Sequence, residues 1–179
     1  MVQQNIDKII SNYLTKNIVF SEENLLATKL SLLDTLGCIY NASTYEDPMR
    51  FATRGEYGSN TNPFLVINDI QSSKEITRYL SILTRWFDYN DTFLAKEWAH
   101  PSDNIGTVFG YFFKHKDKNL SQFFQSIIQM YEIQGSLALG TSLNEKGYDH
   151  VFYVKLASGA VFSSLLSNQN EESISRTVN

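Results

Sequence analysis

IDKIISNYLTKNIVFSEENLLATKLSLLDTLGCIY, residues 6–40, opens the chain with helical periodicity and sets its architecture. Ile6, Ile9, Ile10, Tyr13 and Leu14 recur three and four positions apart, the apolar stripe of an amphipathic helix. Ser21 followed by Glu22 and Glu23 supplies an N-cap and first-turn carboxylates for a second helix. From Leu25 to Tyr40 that helix is apolar on almost every side, which predicts a central buried helix, with Thr35 and Gly37 small enough to admit a close neighbour.

The same period returns downstream. It runs through Ile76, Tyr79, Leu80, Leu83 and Phe87, then Ile105, Val108, Phe109 and Phe112, then Phe123, Phe124, Ile127, Ile128 and Tyr131 on to about Leu139. A last long helix is expected from about Asp149 to Leu166. Between about 41 and 73 the pattern dissolves into GEYGSNTNPF and its neighbours, a turn-rich composition, with LVI at 65–67 as a possible short strand. The tail QNEESISRTVN reads as the capped start of a helix that stops before it can pack. About six or seven helices with little strand make an all-α array, expected to be cut short at its C-terminus.

Composition narrows the function classes. The 179 residues carry 15 Lys+Arg against 19 Asp+Glu, a formal net charge of −4. No basic surplus exists to displace phosphate counterions, so no nucleic-acid partner is expected. With 42% hydrophobic residues, 12 Phe and 10 Tyr, the chain is not disordered. A lone cysteine, Cys38, excludes an internal disulfide, a cysteine-held zinc and a Cys-ligated cluster. The N-terminus MVQQNIDKIISNYL is polar and mixed in charge, unlike a secretory leader or a mitochondrial presequence, and no apolar run approaches about 18 residues. A soluble cytoplasmic chain without a membrane partner is the expectation.

One polar interruption stands out: RWFDYNDTFLAKEWAHPSDNIG, residues 85–106. Asp88, Asp91 and Thr92 gather at a helix end, and His100 follows, with Pro101, Ser102 and Asp103 placed to start the next helix. Polar groups on a loop pinned by helices at both ends are where catalytic residues concentrate. A second histidine, His150, follows Gly147-Tyr148-Asp149 at the start of the last long helix, the same situation as His100. Both positions face the positive end of a helix macrodipole, which favours the uncharged imidazole that a general base needs. Helix capping accounts equally well for Asp91, Thr92, Ser102 and Asp103. A metal at Asp88, Asp91 and His100 has no ligand set at a recognised spacing, so no metal and no cofactor are expected. His115, in KHKDK, is read as a solvated loop residue, and Glu132 and Gln134 as buried polar ties between helices.

Taken as a pattern, residues 85–106 resemble the signature segment of the 2-methylcitrate dehydratase (MmgE/PrpD) family. LLDTLGC at 32–38, YEIQGSLAL at 131–139 and GYDHVFYVKLASGAV at 147–161 resemble three further family segments, in the same order. The resemblance implies the N-terminal part of a large helical domain, with the family's smaller α/β domain absent from these residues. It implies a homodimer, a small-molecule tricarboxylate substrate, no iron–sulfur cofactor, and dehydration of 2-methylcitrate to 2-methyl-cis-aconitate. Matched to the motifs, Asp88, Thr92, His100 and His150 would line the pocket. His100 would transfer a proton, His150 would act as second acid/base or carboxylate binder, and Asp88 would orient an imidazole. Thr92, Asp91, Arg85 and Ser102 would contact substrate. Family members are longer and carry further cationic residues beyond this stretch. Competing expectations are a cis-aconitate decarboxylase or isomerase sibling, and a non-catalytic helical remnant that dimerises.

Overall fold

A computed structural model describes residues 5–179. The first four residues of the N-terminal stretch read above for a targeting signal lie outside it. The helices are α1 (Ile6–Thr15), α2 (Glu22–Ser43), α3 (Glu46–Thr53), α4 (Pro63–Asp69), α5 (Ser73–Arg85), α6 (Ile105–Phe112), α7 (Leu120–Gly140), α8 (Val151–Leu166) and α9 (Glu171–Val178). Two short 3-10 turns, Pro101–Asn104 and Asn144–Lys146, precede α6 and α8. The described residues contain no strand beyond one isolated antiparallel bridge between Phe93 and Ala99. No described helix is long and apolar enough to cross a membrane.

Two apolar clusters hold the array together. One gathers Ile10 and Leu14 of α1, Val108 of α6, Ile127 and Met130 of α7, Ala157 and Val161 of α8, and Ile174 of α9. The other joins Ile39 and Ala42 of α2, Met49 of α3, Val66 and Ile67 of α4, and Ile76, Tyr79, Leu80 and Leu83 of α5. Phe109 of α6 packs against both. α6 lies tight on α5 because Gly106 and Gly110 offer no side chain there. A Cβ on Gly106 would stand 3.0 Å from the Thr77 carbonyl oxygen, and one on Gly110 2.6 Å from that of Ser73. This contact fixes the C-terminus of α5 beside the N-terminus of α6, and the polar segment 85–106 spans the gap.

Several expectations are corrected. The stretch 41–73 is mostly helical: Glu46 and Asp47 charge the first turn of α3, and Pro63 at N1 with the Asn62 side chain accepting from the Phe64 N–H starts α4. LVI at 65–67 belongs to α4, with Val66 and Ile67 buried in the second cluster. α2 is not buried all round; Leu26, Leu30, Leu33 (66% exposed) and Tyr40 form an open stripe, and a Cβ on Gly37 would meet nothing within 4 Å. The close-approach residues are therefore the glycines of α6, not Gly37. The tail packs: Ile174 is fully buried among α1, α7 and α8 residues, and the Ser175 hydroxyl donates to Asp7 of α1 at 2.6 Å. Glu132 is exposed and takes a hydrogen bond from Tyr13 of α1, whereas Gln134 is fully buried. His115 stacks on Tyr111 at 4.2 Å between centroids.

Candidate active site

The segment 85–106 is a knot of charge and hydrogen bonds. Asp88 leaves α5 with a left-handed φ of 57°, a conformation aspartate tolerates better than most side chains. Its carboxylate meets the Arg85 guanidinium at 2.9 Å, and Arg85 also reaches Asp103 at 3.3 Å. Burial pushes the Asp103 carboxyl above its ordinary range, with the Arg85 charge and the Asn90 hydrogen bond opposing that rise. Asn90 is buried and donates to both the Ser102 hydroxyl (2.7 Å) and Asp103 (3.0 Å), stitching the two ends of the segment.

Asp91 does most of the positioning. Its carboxylate accepts the Ser102 N–H at 2.9 Å and the Tyr131 hydroxyl of α7 at 2.7 Å. Burial, then the Asp91 charge, drives the Tyr131 phenol far above its ordinary range, so it remains a donor. The Asp91 carbonyl oxygen lies 2.8 Å from His100 Nδ1. A carbonyl can only accept, so Nδ1 carries a proton and, in the neutral ring, Nε2 is left with a free lone pair. Nε2 faces Asp88 at 3.6 Å.

His150 arrives from the other side, on the turn into α8. Its Nδ1 stands 3.2 Å from Asp149, whose carboxylate also accepts the Val151 N–H. Its Nε2 is buried with no hydrogen-bond partner among the described residues. Both rings are buried, His100 at 4% and His150 at 5% exposure, with centroids 6.2 Å apart. Trp98 fits against both, edge-on to His100 at 5.5 Å and tilted over His150 at 4.0 Å. Two histidines separated by fifty positions thus share one aromatic wall. Among the described residues no group of three or more His, Cys, Asp or Glu could hold a metal ion.

Residues 8–177 match the model of the MmgE/PrpD N-terminal domain. The chain belongs to the MmgE/PrpD family. It is 32% identical over 189 residues to a probable 2-methylcitrate dehydratase of Saccharomyces cerevisiae, covering 95% of this chain and 36% of that protein. It is 31% identical to the mitochondrial 2-methylcitrate dehydratase of Yarrowia lipolytica, covering 94% of this chain and 35% of that one. Against the 2-methylcitrate dehydratase of Escherichia coli strain K12 the identity is 33% over 158 residues, 79% of this chain and 32% of that protein. The chain spans about a third of the length of these relatives.

Within this MmgE/PrpD domain the residues singled out from sequence divide into two groups. His100, His150 and Asp88 come together, and Arg85 reaches the cluster through Asp88. Asp91 and Ser102 are turned inward: both Asp91 carboxylate oxygens are occupied by protein donors, and Ser102 is fully buried. Thr92 is exposed on the loop surface. Ser102 and Asp103 do not cap α6 through their own side chains; the reach-back of Asp91 to the Ser102 N–H starts the turn instead. The sequence singles out none of Asn90, Trp98 and Glu97, and marks Tyr131 as a helix-face residue at the head of the YEIQGSLAL segment. The one available signal was their placement within or opposite the matched motifs.

Proposed function

We propose that this chain forms the N-terminal helical part of a hydro-lyase that removes water from 2-methylcitrate to give 2-methyl-cis-aconitate. The observation that carries the reading is the pairing of His100 and His150 across Trp98, each with Nδ1 engaged by the protein, while His100 Nε2 faces Asp88 at 3.6 Å and His150 Nε2 has no partner among the described residues. Elimination next to a carboxylate needs a base for the carbon-bound proton and an acid for the departing hydroxyl. His100 Nε2, with its lone pair set by the Asp91 carbonyl, takes the proton. The C–O bond breaks as the double bond forms, and His150, entering the step with protons on both ring nitrogens and Asp149 facing Nδ1, gives its Nε2 proton to the departing hydroxyl, which leaves as water. Asp88 steadies His100, and Thr92, exposed on the loop, hydrogen-bonds the substrate. Asp91 and Ser102 hold the loop's shape. Arg85 is balanced by Asp88 and Asp103, so these residues supply acid and base more fully than charge for three carboxylates.

The names of the relatives support this substrate class, and the family resemblance assigns the dehydration of 2-methylcitrate to propionate breakdown. A homodimer in the cytoplasm completes the proposal, the open Leu26–Leu30–Leu33–Tyr40 stripe of α2 being suited to a self-association seam. Sedimentation and cell fractionation test those two points; a monomer or an organellar protein overturns them. The activity test is direct: incubate the protein with 2-methylcitrate and follow the product by proton NMR, in parallel with carbon dioxide release from cis-aconitate. In an enzyme of the relatives' full length that carries this chain, formation of 2-methyl-cis-aconitate is expected, lowered at least ~100-fold by His100→Ala, the scale of lost acid–base catalysis. Carbon dioxide release without dehydration overturns it in favour of a decarboxylase.

A further inference from the structure

Glu97 is a carboxylate buried to 1% exposure, three residues before His100 and away from the paired imidazoles. A buried charge persists only when paired or richly hydrogen-bonded. Among the described residues Glu97 meets no cation; instead it reaches the connection between α7 and α8. One oxygen accepts from the Leu143 N–H (2.6 Å), the Asn144 N–H (2.8 Å) and the Ser142 hydroxyl (3.2 Å), and the other accepts from the Asn144 side chain at 2.8 Å. Its own N–H donates to the Ala138 carbonyl at 2.9 Å, near the end of α7. Burial alone would raise this carboxyl, but the four donors outweigh it and hold it below the usual glutamate range, so it is ionised at neutral pH.

Capping does not require this arrangement. The turn at Asn144–Lys146 already has a local partner in the Ser142 hydroxyl, which accepts the Glu145 N–H at 3.3 Å. What the Glu97 carboxylate adds is a tie across 46 positions between the two stretches that carry the histidines. On one side it is followed at once by Trp98 and, after Ala99, by His100. On the other, Leu143 and Asn144 stand just upstream of His150, on a segment fixed to α8 by the Tyr153 hydroxyl donating to the Thr141 carbonyl at 3.0 Å. The antiparallel bridge between Phe93 and Ala99 stiffens the loop around Glu97.

We infer that Glu97 is a positioning residue for the proposed dehydration, a strap that sets the distance and angle between His100 and His150 through Trp98. The inference rests on the acid–base reading of those histidines for its kinetic part and on geometry alone for its structural part. A misplacement near 1 Å in an acid–base pair costs on the order of 100-fold in rate.

The test uses the protein labelled with nitrogen-15 histidine, long-range proton–nitrogen spectra of the rings, and turnover of 2-methylcitrate. In Glu97→Ala the His100 and His150 ring signals shift while those of His115 stay, and kcat falls about 100-fold with KM within about threefold. Glu97→Gln keeps an oxygen for the two backbone N–H groups and lets the Asn144 amide turn to face it; it recovers the ring signals and all but about tenfold of the rate. If Glu97→Ala does not fold, Asn144→Ala, which removes one arm of the strap, moves the same signals less. Unmoved His100 and His150 signals with unchanged kcat in a folded variant overturn the inference. Ring shifts without tricarboxylate turnover by the parent protein leave the strap standing and remove the dehydratase reading.

Discussion

Replacing Gly110 by alanine places a methyl carbon 2.6 Å from the Ser73 carbonyl oxygen and 2.3 Å from the Thr77 hydroxyl. The hydroxyl can rotate away. The carbonyl cannot, because it belongs to the first turn of α5, so the helices must part by several tenths of an ångström against the packing of Ile76, Leu80 and Val108. Overpacking of this kind costs about 3 kcal/mol at the upper end of its usual span. Alanine returns about 1 kcal/mol over glycine inside a helix, leaving a net loss of about 2 kcal/mol. For a domain of this size that lowers Tm by about 4–8 °C. Gly37→Ala is the matched control, measured dilute enough that the α2 face is unpaired: a Cβ there meets nothing within 4 Å of its own chain, mid-helix in α2, so only the gain from helix propensity remains, about 1 kcal/mol. Thermal unfolding followed by far-ultraviolet circular dichroism measures both variants. A Tm for Gly110→Ala at or above wild type, or a fall in Gly37→Ala, refutes the packing argument.

Other outcomes follow from single contacts. Tyr131→Phe deletes the donor to the Asp91 carboxylate and is expected to cost about 2 kcal/mol in urea unfolding, the scale of a hydrogen bond to a charged group, and to slow turnover through the His100 that Asp91 holds. Ile174→Ala removes a fully buried side chain that seats α9 on α1 and α8, with an expected loss of about 2–5 kcal/mol by the same measurement; a neutral result would mean the tail is not docked. Glu97 gives a pH signature. Its folded-state carboxyl is held below the ordinary value of 4.5, so its contribution is complete above that value and is lost as pH falls below it. Melting curves from neutral pH downwards are expected to show a shallower acid loss in Glu97→Gln than in wild type.

Periodicity located α1, α5, α6, α7 and α8 because each turns one apolar face to a core, as Ile76, Leu80 and Leu83 do in α5. It misjudged α2, where leucines on both sides read as burial although Leu26, Leu30 and Leu33 stand open; apolar content does not say whether a partner is present. It missed α3 because EDPMRFAT is short and rich in charge and Pro, and α4 because its apolar run at 64–67 reads as a strand; both depend on Met49 and Ile67 reaching a core assembled from distant segments. At the site, the motifs named His100 and His150, but their approach depends on Trp98 and on the bonds from Glu97 to residues 142–144. No local pattern marks such a tie. Asp91 and Ser102 looked like substrate contacts because polar side chains beside a histidine read alike whether they face a pocket or the loop's own backbone.

In the proposed dehydration His100 and His150 act as one acid–base unit. The most direct test is a double-mutant cycle on 2-methylcitrate turnover with His100→Ala, His150→Ala and the pair together. Groups that act in one step are strongly non-additive. Each single variant is expected to lose at least ~100-fold and the double variant within about tenfold of the worse single. A double loss equal to the product of the two single losses, or singles that retain wild-type rates, would contradict the claim that the two imidazoles share one reaction.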